Sequence, residues 1–341
     1  MPVSLSDVAA KAEVSVATVS LVLNGKAVGR IPETTRVRVK RAALDLDYHP
    51  NRYAKGLQSR QTMNIGVLIQ GLRNPYFAEI HEIVEDLICD HGYEVLFDSG
   101  RRINFEKGGG VGGWPIDGIL AWATSYQRIN SSSSESSNNI PVVYVGSPRT
   151  DGTDFVTHNA EQGTLLALDY LWEQGYRRIG FSAPPNIEYP AREFRREAYL
   201  KFCEDRSLRP DLVDVTPMLE MRNRYQSGYR QAGYEAGCRL ASIPANSRPQ
   251  AVLCYNDLIG IGMMNGALSE GLRIPEDVAI VGFDGIDEGK YQIRPLTTVV
   301  TPVDKTCSLA LDILLGRISG NLEEAAQGIV LPMTLRIGKS A

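Results

Sequence analysis

The fold of the first part of the chain is decided by residues 5–25, LSDVAAKAEVSVATVSLVLNG. Small and β-branched apolar residues recur here at helical spacing, and the polar Glu13-Val-Ser15 interrupts them. The pattern predicts one helix over 4–12 and a second over 16–23, which ends at Asn24-Gly25. Two helices joined by so short a turn are typical of a helix-turn-helix.

A third helix is predicted after Pro32, because proline suits the first turn of a helix and Val39 and Ala43 then share one face. It ends at His49-Pro50, since the residue before proline is pushed out of helical geometry. Three such helices can close a small core of their own.

The first 60 residues carry ten Lys or Arg against five Asp or Glu, while the remainder of the chain has a net charge of −9. This basic excess places an anion-binding function at the N-terminus. The chain has 341 residues, of which 43% are hydrophobic and 22% charged, as in soluble globular proteins of two or three domains. It shows neither a run of ~20 apolar residues nor an export signal, so we expect a cytoplasmic protein that does not contact a membrane.

The sequence gives no indication of a metal, a cofactor or a catalytic centre. The five cysteines are scattered and odd in number, which favours buried free thiols, and the four histidines are isolated. Gly108, Gly110 and Gly113 have the spacing of a dinucleotide fingerprint, but they do not follow a strand and Pro115 opposes the required helix. A loose loop is the favoured interpretation there, and the serine-rich segment 131–139 is predicted to be a mobile surface loop.

Beyond Met63 the chain alternates between short apolar runs and helical stretches. The predicted strands are 65–69, 94–97, 118–121, 142–145, 178–181, 251–255 and 278–282. The predicted helices are 76–91, 161–174, 193–205, 227–240 and 257–270. Alternation of this kind predicts parallel sheets covered by helices, in two similar halves that meet near His158 and bind a ligand at the carboxyl ends of their strands.

The ordered motifs along the chain resemble the LacI/GalR family of bacterial transcription regulators. They are Ser6 to Asn24 in the first 60 residues, Asp47-Tyr-His-Pro-Asn51, Ala54-Lys-Gly-Leu57, Asn74-Pro-Tyr-Phe77, Tyr255-Asn-Asp257, Ile274-Pro-Glu-Asp-Val278, Val281-Gly-Phe-Asp284 and Pro295-Leu-Thr-Thr-Val299. The resemblance implies a three-helix helix-turn-helix DNA-binding domain with a hinge helix, followed by a two-lobed α/β effector domain like a periplasmic binding protein, with Rossmann-like parallel sheets. The implied bounds are 1–49 for the DNA-binding domain, 50–61 for the hinge, 62–158 with 291–319 for the first lobe, and 159–290 with 320–341 for the second.

The resemblance places the second helix in the major groove of operator DNA. The residues expected to contact DNA are Ser4, Ser15, Val16, Ala17, Thr18, Ser20, Leu21, Asn24, Thr35, Tyr48, Asn51, Arg52, Ala54 and Leu57. The polar members suit phosphates or base edges, although capping of helices would explain the same residue types.

Base choice is expected from Val16, Ala17 and Leu21, which can contact a thymine methyl group but cannot make bidentate hydrogen bonds. Many relatives carry Arg or another polar residue where this chain has Leu21, so a different operator is expected; the alternative is that Leu21 belongs to the core. Leu57 would wedge into a base step of the minor groove, unless it simply packs as a linker leucine. A palindromic operator would require a homodimer. A leucine-heptad tail, which would indicate a tetramer, is not found, so a dimer is expected.

The body is expected to bind a small sugar-like effector between its lobes. The residues implied by the resemblance are Asn74, Tyr76, Phe77, Arg195, Tyr225, Asn256, Asp257 and Asp284. Asp257 alternatively caps a helix. Gly146 stands where sugar-binding relatives often have Asp, and Tyr225 would replace an aromatic residue missing at Asn223; Arg149, Arg222 and Arg224 indicate either an acidic sugar or ordinary surface charge. The competing classes are a sugar-binding transport protein and a Rossmann-type oxidoreductase.

Overall fold

The computed structural model describes residues 3–25, 27–48, 61–69, 71–98, 115–122, 140–146, 152–182, 190–215, 228–322 and 325–341. The chain divides into two compact units, Met1–Thr62 and Met63–Ala341, which we call the head and the body. The serine-rich segment 131–139 and the glycine-rich segment around Gly110 lie outside the described residues. No helix among the described residues is both long and apolar enough to cross a membrane.

The described residues of the head form three helices, α1 (Leu5–Ala12), α2 (Val16–Leu23) and α3 (Glu33–Asp45), close to the predicted bounds. Each of the first two begins at a serine that accepts a backbone hydrogen bond, which satisfies a donor that the helix itself cannot. The core of the head is built from small and β-branched side chains of all three helices. Its fully buried members include Val8, Ala12, Val19 and Val39.

Within its described residues, the body has two six-stranded sheets with six helices around them. In chain order the elements are β1 (Asn64–Leu68), α4 (Pro75–Asp90), β2 (Glu94–Asp98), β3 (Gly118–Trp122), β4 (Val142–Val145), β5 (Asp154–His158), α5 (Ala160–Glu173), β6 (Ile179–Ser182), α6 (Pro190–Asp205), β7 (Asp211–Val213), α7 (Tyr229–Ser242), β8 (Ala251–Cys254), α8 (Asp257–Ser269), β9 (Ala279–Asp284), a 3₁₀ turn (Asp287–Gly289), β10 (Thr297–Val300), α9 (Val303–Ile318), β11 (Gly328–Leu331) and β12 (Thr334–Arg336). The first sheet has the order β11-β5-β4-β3-β1-β2 and the second β12-β10-β9-β8-β6-β7. Among the strands that the structure describes, only the β10–β12 pairing is antiparallel, so both sheets present a row of carboxyl ends where ligands of such folds bind.

The strand pairing corrects the predicted division of the lobes. β10 lies within 291–319, which was assigned to the first lobe, yet it pairs with β9 in the second sheet. β11 lies within 320–341, assigned to the second lobe, yet it pairs with β5 in the first sheet. The chain therefore crosses between the sheets after β5, after β10 and after β11. Strands of four residues carry too little pattern of their own to show which sheet they join.

The two lobes have separate cores, and the prediction of buried free thiols can be checked against them. All five cysteines are free, as predicted; Cys203, Cys254 and Cys307 are buried, whereas Cys238 is half-buried and Cys89 is exposed. In the second lobe, α7 and α8 pack backbone against backbone through glycines on both helices. An ideal Cβ at Gly262 or Gly266 of α8 would overlap a carbonyl oxygen of α7, whereas one at Gly260 would make ordinary contacts with the Leu296 methyl groups at 3.5 Å and the Cα of Gly282 at 3.7 Å.

Candidate DNA-binding surface and effector crevice

The second helix of the head presents the predicted DNA-facing residues at its N-terminal end. The Ser15 hydroxyl accepts the Thr18 amide hydrogen at 3.2 Å and lies 2.9 Å from the Thr18 hydroxyl. Beyond this cap, Val16 is 44% exposed and Ala17 is exposed too. An uncovered helix start with free backbone donors is suited to phosphate and to the major groove.

Leu21 is half-buried, and it is not one of the side chains that pack on the head's core within the described residues 3–25 and 27–48. Its neighbours Val19 and Val22 are the buried members of this helix. The core interpretation of Leu21 therefore finds no support in the packing. Val16, Ala17 and Leu21 instead leave an apolar edge on the helix that the resemblance assigns to the groove.

Several of the remaining residues predicted to contact DNA make hydrogen bonds or packing contacts within the head. Ser4 forms a capping box with Asp7, whose pKa is lowered by hydrogen bonds from the Ser4 side chain and backbone. Asn24 donates to the Ser20 carbonyl at 2.8 Å and to its hydroxyl at 3.2 Å. Thr35 is half-buried on α3, and Tyr48 packs on the core, where burial raises its pKa. Asn51, Arg52, Ala54 and Leu57 lie outside the described residues, as does Tyr225 of the body.

In the body, the first predicted effector residues lie at the start of α4, the helix that follows β1. Asn74 caps α4 by accepting the Tyr76 amide hydrogen at 3.2 Å. Tyr76 packs against the cores of both lobes, and its ring lies 5.2 Å from that of Phe77 in an edge-on arrangement. Burial and the nearby Asp284 charge raise the pKa of Tyr76, while its hydrogen bond with Thr301 opposes the shift.

Arg195 of α6 reaches the same place from the second lobe. Its guanidinium carbon lies 3.5 Å from the centre of the Phe283 ring, and Nη1 donates to the Tyr255 carbonyl at 2.5 Å. Its buried Nε has no hydrogen-bond partner among the described residues. A buried donor left in this state is costly, so a ligand acceptor would compensate it.

Asp284 ends β9 and faces Arg195. Its Oδ1 lies 4.0 Å from Nη2 of Arg195, too far for a hydrogen bond, so both groups keep hydrogen-bonding capacity for a ligand. Burial raises the pKa of Asp284 well above its usual value, although Arg195 opposes the shift. The residue has φ = +119°, a backbone conformation rare for residues with a side chain.

Asn256 and Asp257 are both buried at the start of α8. Asn256, not Asp257, caps α8, by accepting the Ile259 amide hydrogen at 2.9 Å. The alternative prediction that Asp257 caps this helix is therefore wrong by one residue. Asp257 is fully buried, and its carboxylate accepts hydrogen bonds from Thr298 and from the backbone of Gly285 and Ile286. Burial raises the pKa of Asp257 to about 7, and these hydrogen bonds oppose the shift.

Sequence reasoning missed His158, where the chain first crosses between the sheets. Its Nε2 lies 2.8 Å from the Thr306 hydroxyl, which itself donates to the Pro302 carbonyl. Because that hydroxyl has a single hydrogen, Nε2 must be the donor in the pair. Burial and the Arg195 charge lower the pKa of His158 to about 4. Its only sequence signal was its position at the predicted boundary of the halves.

We expect His158 to make the body less stable in mild acid. A neutral imidazole in the folded state contributes its full stabilisation above pH ~6.5, and this contribution is lost as the pH falls toward about 4. The shift corresponds to at most ~3 kcal/mol. The variant His158→Gln keeps a neutral donor for Thr306, so urea unfolding at pH 7 and pH 4.5 should show a smaller acid loss than in the natural protein. Equal losses would contradict the assignment.

A capped helix-turn-helix on one unit and a two-sheet ligand crevice on the other define a ligand-responsive DNA-binding regulator. Residues 4–51 match the profile of the bacterial regulatory proteins of the lacI family, and 168–341 match that of a periplasmic binding protein-like domain. The HTH-type transcriptional repressor PurR of Proteus mirabilis is 32% identical over 94% of this chain and 92% of its own. PurR of Escherichia coli is 31% identical over the same shares of the two chains.

Solved structures agree with this assignment. The Lac repressor bound to ONPG has a TM-score of 0.82 at 23% identity over all of both chains, which shows the shared fold. The complex of the regulator CelR with cellobiose has a TM-score of 0.67 at 25% identity, over 99% of this chain and 100% of its own. The chain belongs to the LacI family and is a DNA-binding transcriptional regulator with an effector-binding domain. The matched head decides against the transport-protein alternative.

Proposed function

We propose that the protein is a cytoplasmic repressor that binds a palindromic operator as a homodimer, and whose operator affinity changes when a small sugar-like effector enters the crevice. The observation that carries the proposal is the apolar edge of α2, where the exposed Val16 and Ala17 and the half-buried Leu21 lie beyond a serine cap and are not part of the core of the head. The basic excess of the first 60 residues supports the same role.

The operator half of the proposal is tested by selecting sites from a random pool of duplex DNA. We expect a palindromic site whose binding weakens steeply as salt is added, because phosphate contacts release counterions. A selected site without two-fold symmetry would contradict the dimer. DNA binding that does not weaken as salt is added would contradict operator binding. So would a protein that binds no DNA, whichever sugar is present.

Changing Leu21→Arg should alter which site is selected. An arginine at this edge can make the bidentate hydrogen bonds to guanine that leucine cannot, which is worth about 1–3 kcal/mol against the wrong base. We therefore expect a guanine preference to appear at one position in each half-site. Val28→Arg is the matched control, because this substitution adds the same charge at an exposed position outside α2. An unchanged site in Leu21→Arg would refute the role of Leu21.

A homodimer is supported by an apolar surface on the second lobe. Tyr291 is 81% exposed and Ile293 is 96% exposed, and they are only two residues apart. Strongly exposed large apolar side chains close together in the sequence are typical of protein interfaces. In the assembled dimer, Leu57 of each hinge would wedge into a central base step and bend the operator.

The effector is proposed to be a sugar because the crevice combines an aromatic face with paired hydrogen-bonding groups. Tyr76 offers the ring, while Asp284 and Arg195 offer an acceptor and donors. The CelR structure contains cellobiose, and a LacI family regulator of Lactobacillus casei, 25% identical to this chain, contains glucose.

Thermal unfolding in the presence of glucose, sucrose or cellobiose tests the effector class. A ligand present at a hundred times its Kd should stabilise the protein by ~2.7 kcal/mol. We expect at least one of these sugars to raise the melting temperature of the protein and to change its affinity for the selected operator. The absence of any shift with all three would contradict a neutral sugar.

A further inference from the structure

The backbone of the loop 284–286 is held by two side chains, those of Asp257 and Arg336. Two backbone N–H groups follow Asp284, those of Gly285 and Ile286. Each donates a hydrogen bond to Oδ2 of Asp257 at 2.8 Å. The carbonyl oxygens of the same two residues accept from Nη1 and Nη2 of Arg336, each at 3.1 Å. The backbone of this loop is therefore bound on its donor side by one carboxylate and on its acceptor side by one guanidinium.

The two clamping residues are themselves fixed by neighbouring strands. Thr298 of β10 donates its hydroxyl to Oδ1 of Asp257 at 2.5 Å, and Thr298 is the register partner of Arg336 on β12. Gly282 leaves the space that the carboxylate fills, because a Cβ there would overlap Oδ1 of Asp257. Each atom of the Asp257 carboxylate is thus occupied within the protein.

The loop carries Asp284 in a backbone conformation that surrounding contacts must enforce. Its φ of +119° is rare for a residue with a Cβ and persists where neighbours over-determine it. Its carbonyl oxygen accepts from the Thr301 amide at 3.2 Å and from the Thr301 hydroxyl at 3.0 Å. With this backbone fixed, the side chain of Asp284 is directed at Arg195.

We propose that Asp257 and Arg336 are positioning residues for effector recognition, which fix the loop 284–286 so that Asp284 is held beside Arg195 before an effector arrives. The proposal rests on the crevice being the effector site. A pre-positioned acceptor avoids the entropy of ordering on binding, so affinity depends on two residues that do not touch the ligand.

The first test uses Asp257→Asn, with Asp287→Asn as the matched control. Asp287 lies three residues after Asp284 in the sequence, but its side chain is 71% exposed and pairs with Lys290 at the surface. Hydrogen exchange of the Gly285 and Ile286 amides is measured in the full chain without ligand. In Asp257→Asn these two amides should exchange at least tenfold faster, while amides of β8 and the control variant stay as in the natural protein.

The second test measures affinity by calorimetry with glucose, sucrose and cellobiose. The measurements are made well below the melting temperatures of the variants. The sugar that the natural protein binds should bind Asp257→Asn and Arg336→Lys at least tenfold more weakly. The operator affinity of both variants should be unchanged when no sugar is present. A purely structural role would lower the melting temperature and leave Kd as it was, which would overturn the proposal.

The two proposals fail in different ways. If no sugar binds the natural protein, the sugar assignment fails, and the exchange rates of Gly285 and Ile286 alone decide the positioning role. Unchanged rates in Asp257→Asn would overturn it. Should Asp257→Asn not fold, Thr298→Val and Arg336→Lys, which each remove part of the clamp, are measured in its place by both methods.

Discussion

Replacing Gly262 with alanine is expected to lower the free energy of unfolding of the body by about 3 kcal/mol or more, because α7 and α8 touch through their backbones at this point. The new methyl group would overlap the carbonyl oxygen of Arg230 and come within 2.9 Å of the Tyr234 nitrogen. Backbone atoms of a packed helix cannot move aside as the end of a flexible side chain can. The helices must separate, which weakens the surrounding core.

The same substitution at Gly260, in the same helix, is the control. A methyl group there would meet the Leu296 methyl groups at 3.5 Å and the Cα of Gly282 at 3.7 Å, which are ordinary van der Waals contacts. Alanine also favours the helix by up to ~1 kcal/mol over glycine. Thermal and urea unfolding should therefore show Gly260→Ala as stable as the natural protein or slightly more so. If the two variants were equally stable, the close approach of the helices would be wrong.

Replacing Val39 with asparagine is expected to abolish specific operator binding while the body still folds. Val39 is 0% exposed in the core of the head, and the change removes apolar burial and leaves a buried amide without partners. The cost of about 3–5 kcal/mol equals the stability that so small a core supplies. The affinity should fall to the non-specific level, a loss of about 10³-fold or more.

Val37→Asn provides the comparison, because Val37 lies on the same helix but is 57% exposed. Surface substitutions usually change stability by less than ~0.5 kcal/mol, so operator affinity should be retained. Gel retardation gives the affinities, and a thermal scan shows whether the transition of the body is kept in both variants. Specific binding by Val39→Asn at natural strength would contradict the three-helix core.

The head could be predicted closely from its sequence. Ser15 begins α2 and Asn24 follows its end, as the capping pattern indicates, because caps and turns depend on neighbours within a few residues. The buried positions Val8, Val19 and Val39 also follow the helical period. Such local signals are complete within the segment that they describe.

The body was predictable in its strands and less so in their assembly. All seven predicted strands form, whereas β5, β7, β10, β11, β12 and helix α9 were not predicted. The strands β10 and β11 also join the sheets opposite to those expected. β11 pairs with β5, which lies far away in the sequence, whereas β10 pairs with β9, the strand just before it. In both cases nothing in a four-residue strand identifies the neighbour that it joins.

The sequence by itself determined the class of this protein, the caps and apolar edge of its DNA-binding helix, and the residue types of its crevice. Only the tertiary structure decided which of those residues meet. Tyr76, Arg195 and Asp284 converge because parallel strands of two sheets end at one crevice. The same folding brings the Asp257 carboxylate to the backbone N–H groups of Gly285 and Ile286, and it sets His158 against Thr306 where the chain crosses between the sheets. Local patterns specify helices and strands, but contacts between distant segments depend on packing, and packing decides whether a carboxylate faces a ligand or a backbone amide.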